Sequence, residues 1–114
     1  MDEARARELL AQERERIERQ LTELERPAAE GELSNFDQHP GDAGTELFEE
    51  ERDQGIARRL REELDAIERA EQRLEGGTYG VSVESGDPIP DARLEAIPYA
   101  DRTAAEQERL ERQP

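Results

Sequence analysis

Ser82, Ser85, Thr103 and Glu106 stand at the spacing of a metal site whose usual ligands are absent. They form two x2-spaced pairs with 17 residues between them. A four-cysteine zinc site uses two Cys-x2-Cys pairs about 15–20 residues apart. The segments Tyr79-Gly80-Val81-Ser82-Val83-Glu84-Ser85-Gly86 and Arg93-Leu94-Glu95-Ala96-Ile97-Pro98 have the run of such a site, yet the chain has no cysteine. Zinc prefers thiolate and imidazole, and a structural site needs four fixed ligands. Three neutral hydroxyls and one carboxylate do not meet that demand, so no structural zinc is expected. The pattern implies an inherited fold whose function no longer depends on the metal. Losing the metal removes a large stabilising contribution. Tyr79, Val81, Val83, Ile89, Leu94, Ile97 and Tyr99 must then hold this region by packing, against the ends of neighbouring helices.

The remaining chemistry-bearing residues are few. His39 is the only histidine, and alone it makes no metal site. Asp37 lies within hydrogen-bonding reach of it in sequence, but no Ser, Cys or other nucleophile is arranged with the two as a triad requires. No nucleophile, base and oxyanion-donor set is visible, and an enzyme is not expected. Asp42 has two readings. It precedes a helical stretch, where Asp is a favoured N-cap, with Thr45 competing for the role. It is equally a carboxylate at an exposed turn, able to meet a basic loop or a metal-bound centre.

The elements that must position these residues are helical. From Asp2 to about Arg26, Leu10, Ile17 and Leu24 recur seven apart, with Leu21 on the same face. Glu3–Arg7 and Glu15–Arg19 have the favourable i,i+4 order, and Pro27 ends the stretch. Thr45 to Glu75 repeats the pattern through Leu60, Ile67 and Leu74, with Ala57 and Leu64 completing the stripe. Glu46, Glu49, Glu50 and Glu51 crowd its first turns, where the helix dipole favours anions. Gly76-Gly77 stops it. Between the helices, Gly31, Pro40, Gly41 and Gly44 with intervening polar residues read as a turn, anchored by Leu33 and Phe36. Two long helices with one narrow stripe each should pair antiparallel, with the turn as the exposed tip of a rod. Beyond Gly77, Gly80 to Pro98 reads as short and strand-like, and Asp101 to Arg112 as a final short helix carrying Leu110. The expected architecture is mainly α: an antiparallel coiled-coil hairpin over 1–75, tip at about 31–44, and a small metal-free lobe with a C-terminal helix over 76–114.

Charge narrows the partners. The formal net charge is −15 over 114 residues, and 41% of residues are charged, against about 25% in ordinary domains. All 16 basic residues are Arg. Such a chain has no positive field to displace counterions from phosphates, so direct nucleic-acid binding is not expected. An anionic membrane surface is excluded on the same ground. A basic protein partner fits, and acidity also confers solubility. No apolar run is long enough to span a membrane and no signal-peptide pattern opens the chain, so a cytoplasmic location is expected. Without cysteine, disulfides and thiolate catalysis are excluded.

The motifs Glu75-Gly-Gly-Thr78-Tyr79-Gly80, Ser85-Gly86-x-Pro88-Ile89-Pro90 and Arg93-Leu94-Glu95-Ala96-x-Pro98 resemble the zinc-finger region of the DksA/TraR family. The tip sequence Asp37-Gln38-His39-Pro40-Gly41-Asp42, followed by Thr45-Glu46-Leu47, most resembles the YteA-type branch. The likeness covers about residues 30 to 107. It implies a bacterial protein that binds RNA polymerase and inserts its hairpin into the secondary channel, where acidic tip residues approach the active centre, often together with ppGpp. The family's tip carries Asp-x-x-Asp-x-Ala. Aligned on Pro40, the first Asp is replaced by His39, the second is Asp42, and the Ala becomes Gly44. The tip Asp37, His39, Asp42 and Gly44 is therefore the expected partner-binding region, with one acidic position kept. No cofactor is expected, and the sequence assigns no residue to ppGpp. The rival readings are a stress-related or structural coiled-coil interaction module that no longer acts on RNA polymerase, and a coiled coil whose narrow stripes are satisfied between two chains rather than within a monomer.

Overall fold

The computed structural model describes residues 1–25 and 43–113, with side chains described outside 43–50. Its elements are α1 (Glu3–Glu25), α2 (Ala43–Gly76), α3 (Asp91–Ala96) and α4 (Ala104–Arg112). The long axis measures 57 Å. The radius of gyration is 18.8 Å, where a compact chain of this length would have about 13 Å. The molecule is a rod with a lobe at its root.

The rod forms because both heptad stripes need cover and each supplies it to the other. Leu10 and Ile17 of α1 meet Leu60, Ile67 and Ala70 of α2 in one buried cluster, flanked by Leu21, Leu24, Ile56, Leu64 and Leu74. Ile17, Ile67 and Ala70 are fully buried. The register is antiparallel. Near the root, the Arg14 guanidinium meets Glu71 at 2.6 Å and Glu68 at 3.7 Å. Toward the other end, Arg61 pairs with Glu25. Along α1, Glu3–Arg7 at 2.8 Å and Glu15–Arg19 at 3.1 Å are the expected i,i+4 pairs.

α2 ends in a Schellman motif. Thr78 N–H donates to Arg73 O at 2.9 Å, and Gly77 N–H to Leu74 O at 3.4 Å. Gly77 takes φ +80° at the position after the cap, where a Cβ would be strained. The chain turns there into the lobe.

The lobe differs from a strand-like reading of 80–98. Among the described residues it contains a single antiparallel bridge, Val81 with Pro88. Pro88 and Pro90 have no N–H to extend a ladder. The following Asp-Ala-Arg-Leu-Glu-Ala run is instead the helix α3, with Pro90 as its N-cap residue. The expected packing set changes with it. Ile89, Leu94 and Ala100 form the lobe's core, with Met1, Tyr79 and Ile97 packed against it. Val81 and Val83 stay exposed, at 38% and 51%, because a lone bridge offers no second layer to cover them.

Several contacts mount the lobe on the rod, among them the Met1 amino group with Asp91 at 2.9 Å. Arg5 of α1 forms a bidentate pair with Glu95 of α3, at 3.2 and 3.0 Å. Tyr79 and Tyr99 pack against the hairpin core. The Tyr79 hydroxyl donates to Pro98 O at 2.8 Å, tying the exit of α2 to the end of α3.

Truncating Ile67 should therefore be costly and truncating Val83 should not. Ile67→Ala is expected to lose about 2–5 kcal/mol of stability, and Val83→Ala to stay within about 0.5 kcal/mol of the parent, both read from urea unfolding followed by circular dichroism.

Candidate functional site

Of the tip positions only Gly44 is among the described residues, whereas all four former ligand positions are described. Gly44 sits in the first turn of α2. Asp37, His39 and Asp42, with the turn anchors Leu33 and Phe36, lie outside the described residues. The second set, Ser82, Ser85, Thr103 and Glu106, lies in the lobe and converges.

Two local structures bring this set together. The first is the turn 82–86, where Ser82 N–H donates to Asp87 O at 2.8 Å and Gly86 N–H to Ser82 O at 2.9 Å. Gly86 takes φ +79°, a left-handed conformation that closes the turn. Inside it, Ser82 Oγ accepts from Glu84 N–H at 3.0 Å and from Ser85 N–H at 3.2 Å. Ser85 Oγ accepts from Asp87 N–H at 3.2 Å. The second structure is the start of α4. Thr103 is its N-cap and Glu106 its N3 residue, joined in a capping box. Thr103 N–H donates to Glu106 Oε1 at 2.8 Å, and Glu106 N–H to Thr103 Oγ1 at 3.3 Å. Val83 N–H to Asp101 O, at 2.9 Å, sets the two segments side by side.

Glu106 is where they meet. Its side chain is only 5% exposed, and Ser82 beside it only 4%. Its carboxylate accepts from the Thr103 N–H at 2.8 Å, and the Ser85 and Ser82 hydroxyls, ahead of that amide, favour its charged form. These donors hold its pKa at about 2, against the ordinary 4.5, and outweigh the desolvation that pushes the other way. Arg102 and Arg109 flank the same turn, 3.5 and 3.7 Å from Glu84, and add a weaker ionic link to α4.

A tetrahedral zinc ion does not fit this donor set. Both lone pairs of Ser82 Oγ are engaged by amides. Thr103 Oγ1 serves the helix cap, and the single carboxylate already accepts from the Thr103 N–H. Zinc sites use anionic sulfur, imidazole or carboxylate, and neutral hydroxyls compete poorly with water for the ion. Among the described residues no group of three or more His, Cys, Asp or Glu is placed to hold a metal.

Sequence and fold comparisons agree on ancestry. The model of the prokaryotic dksA/traR C4-type zinc finger matches residues 77–112. The structure of transcription factor DksA2 from Pseudomonas aeruginosa superposes with a TM-score of 0.65 at 30% identity, covering 96% of this chain and 82% of that one. The chain belongs to the DksA/TraR family. It is 50% identical over 70 residues to the uncharacterized protein YteA of Bacillus subtilis (strain 168), covering 61% of this chain and 29% of YteA. It is 46% identical over 54 residues to the RNA polymerase-binding transcription factor DksA of Caulobacter vibrioides, covering 47% of this chain and 38% of that protein. The chain thus spans half or less of the length of the curated relatives it matches. Within the family its finger is degenerate: the C4 region is present and its cysteines are not.

The Ser-Glu cluster was only half legible in sequence. Spacing grouped the positions, but the Thr-x-x-Glu capping box, itself a local sequence signature, was the signal that would have given Glu106 its structural partner.

Because the folded pKa of Glu106 is depressed, the folded state resists protonation there. The stability this contributes is complete above about pH 4.5 and is lost as pH falls toward 2. Carboxylate-resolved NMR titration should place the Glu106 midpoint near 2, and a midpoint near 4.5 would show that the serine hydroxyls do not reach it.

Proposed function

We propose that this protein is a non-enzymatic transcription regulator that binds bacterial RNA polymerase directly. On this reading residues 1–75 are the working rod and 76–114 its mount. The rod enters the enzyme's secondary channel, with the tip residues Asp37, His39, Asp42 and Gly44 directed at the active centre. The observation that carries the proposal is the architecture: the antiparallel helical pair of α1 and α2 with a small, separately cored lobe at one end. The naming of a Caulobacter relative as an RNA polymerase-binding transcription factor supports the partner, and that of the Pseudomonas neighbour as a transcription factor supports the role.

Electrostatics supports a protein partner over a nucleic acid. A net charge of −15 repels phosphate backbones and steers the rod toward a basic rim. No helix among the described residues is long and apolar enough to cross a membrane, and RNA polymerase as partner places the protein in the cytoplasm. Burial supports a monomer. Ile17 and Ile67 are fully covered within one chain, which leaves those stripe positions nothing to offer a second copy.

The test is binding of the full chain to core RNA polymerase, with and without a known secondary-channel factor. Competable binding is expected. Asp42→Asn should then leave binding largely intact and weaken the effect on transcription. Binding that the competitor does not displace, or no binding by a chain that circular dichroism shows to be folded, would contradict the reading. Absence of binding would leave an interaction module that no longer acts on the polymerase.

A further inference from the structure

The packing of the rod stops at one level of α2. The buried stripe runs from Ala70 through Ile67 and Leu60 to Ala57. Among the described side chains, Ile56 is the outermost one packed against the core. On the other helix, Glu25 is the last residue of α1, and it pairs with Arg61. Pro27 follows two residues later, without the N–H that a continued helix would use. α2 itself runs on past this level to Ala43. From Gly55 to Ala43 the helix spans about 18 Å at 1.5 Å per residue.

Gly55 opens that outer stretch, and nothing in the packing requires it to be glycine. Gly77, Gly80 and Gly86 take φ of +80°, +89° and +79°, which a side chain would strain. Gly55 lies inside a helix without a left-handed φ. A Cβ at Gly55 would meet no atom within 4 Å, so no close approach of a neighbour excludes one. Glycine is the weakest helix former short of proline, because its backbone has the most freedom to lose. Asp53, two residues away, ranks just above it. The helix is therefore least supported by its own sequence at the level where the described packing ends.

We infer that Gly55 is a flexure point of the rod, at which the outer part of α2 bends against a rigid root. The root, from Ile56 to Leu74, is held by α1 and carries the lobe. A kink of about 20° would move the first turn of α2 sideways by about 6 Å over that length. Gly44 lies in this turn. A partner can then re-aim the outer end of the rod while the lobe and its mount stay in place. The inference names no partner, so it stands or falls independently of the polymerase reading.

Backbone residual dipolar couplings of the full chain test it, because they report the orientation of each stretch of helix in one frame. In the parent, residues 43–54 are expected to align more weakly than 57–75. In Gly55→Ala the two stretches should fit one alignment tensor with one magnitude. The added methyl group faces open space, so the variant keeps the fold. Gln54→Ala changes an exposed neighbour and keeps the glycine, and it should behave as the parent does. A parent whose two stretches already share one tensor and one magnitude would overturn the inference. So would a Gly55→Ala protein whose outer stretch stays as weakly aligned as in the parent, because the motion would then be fraying of the helix end. Equal stiffening by Gln54→Ala would overturn it as well, since helix propensity in general, rather than the glycine, would then set the motion.

Discussion

The turn after Gly80 is set beside the segment leading into α4 by the Val83 N–H to Asp101 O bond, and the Thr103–Glu106 capping box fixes the first turn of α4. A charged group at 5% exposure is ordinarily a liability. Glu106 accepts from the Thr103 N–H, and the Ser85 and Ser82 hydroxyls with that amide lower its pKa, so the charged form is the favoured one. Each donor is in turn fixed by another bond: Ser82 by two amides, Ser85 by Asp87, Thr103 by the capping box.

The rod depends on a different balance. α1 and α2 are each strongly charged, and among the described side chains their apolar residues are few. Their pairing runs through Leu10, Ile17, Leu60, Ile67 and Ala70. The exposed faces are then filled with Glu and Arg, which set register through Arg14–Glu71 and Arg61–Glu25 rather than adding much stability. The lobe is mounted at the root by Arg5–Glu95 and by Tyr79 and Tyr99, which pack against the rod's core. Tyr79 is packed against both the rod's cluster and the lobe's, so the two are mechanically continuous at that residue.

The rod was legible in the sequence because a seven-residue apolar repeat has one economical solution. Leu10, Ile17, Leu60 and Ile67 were found by spacing alone, and the end of α2 by its paired glycines. The lobe was less legible. Val81 and Val83 alternate as a strand would, but alternation carries meaning only when a second layer exists to cover one face, and Pro88 and Pro90 prevent one from forming. The helix α3 is short enough that its helix-forming composition was masked by those prolines. Ala100 and Met1, both small contributors in a hydropathy reading, became core members through long-range packing that no local window contains. Arg5 and Glu95 are 90 residues apart, and charged residues are too common in this chain for any one pairing to be read from sequence.

The most direct test of the central claim is amide hydrogen exchange on the full chain at neutral pH in the presence of excess chelator. The account predicts that the N–H groups of Glu84, Ser85 and Thr103, which donate to the cluster, are protected, and that removing metal leaves their protection unchanged. Rapid exchange across 80–106 alongside a protected α1 and α2 would contradict it, because the lobe would then need a ligand that the serine and glutamate side chains do not replace.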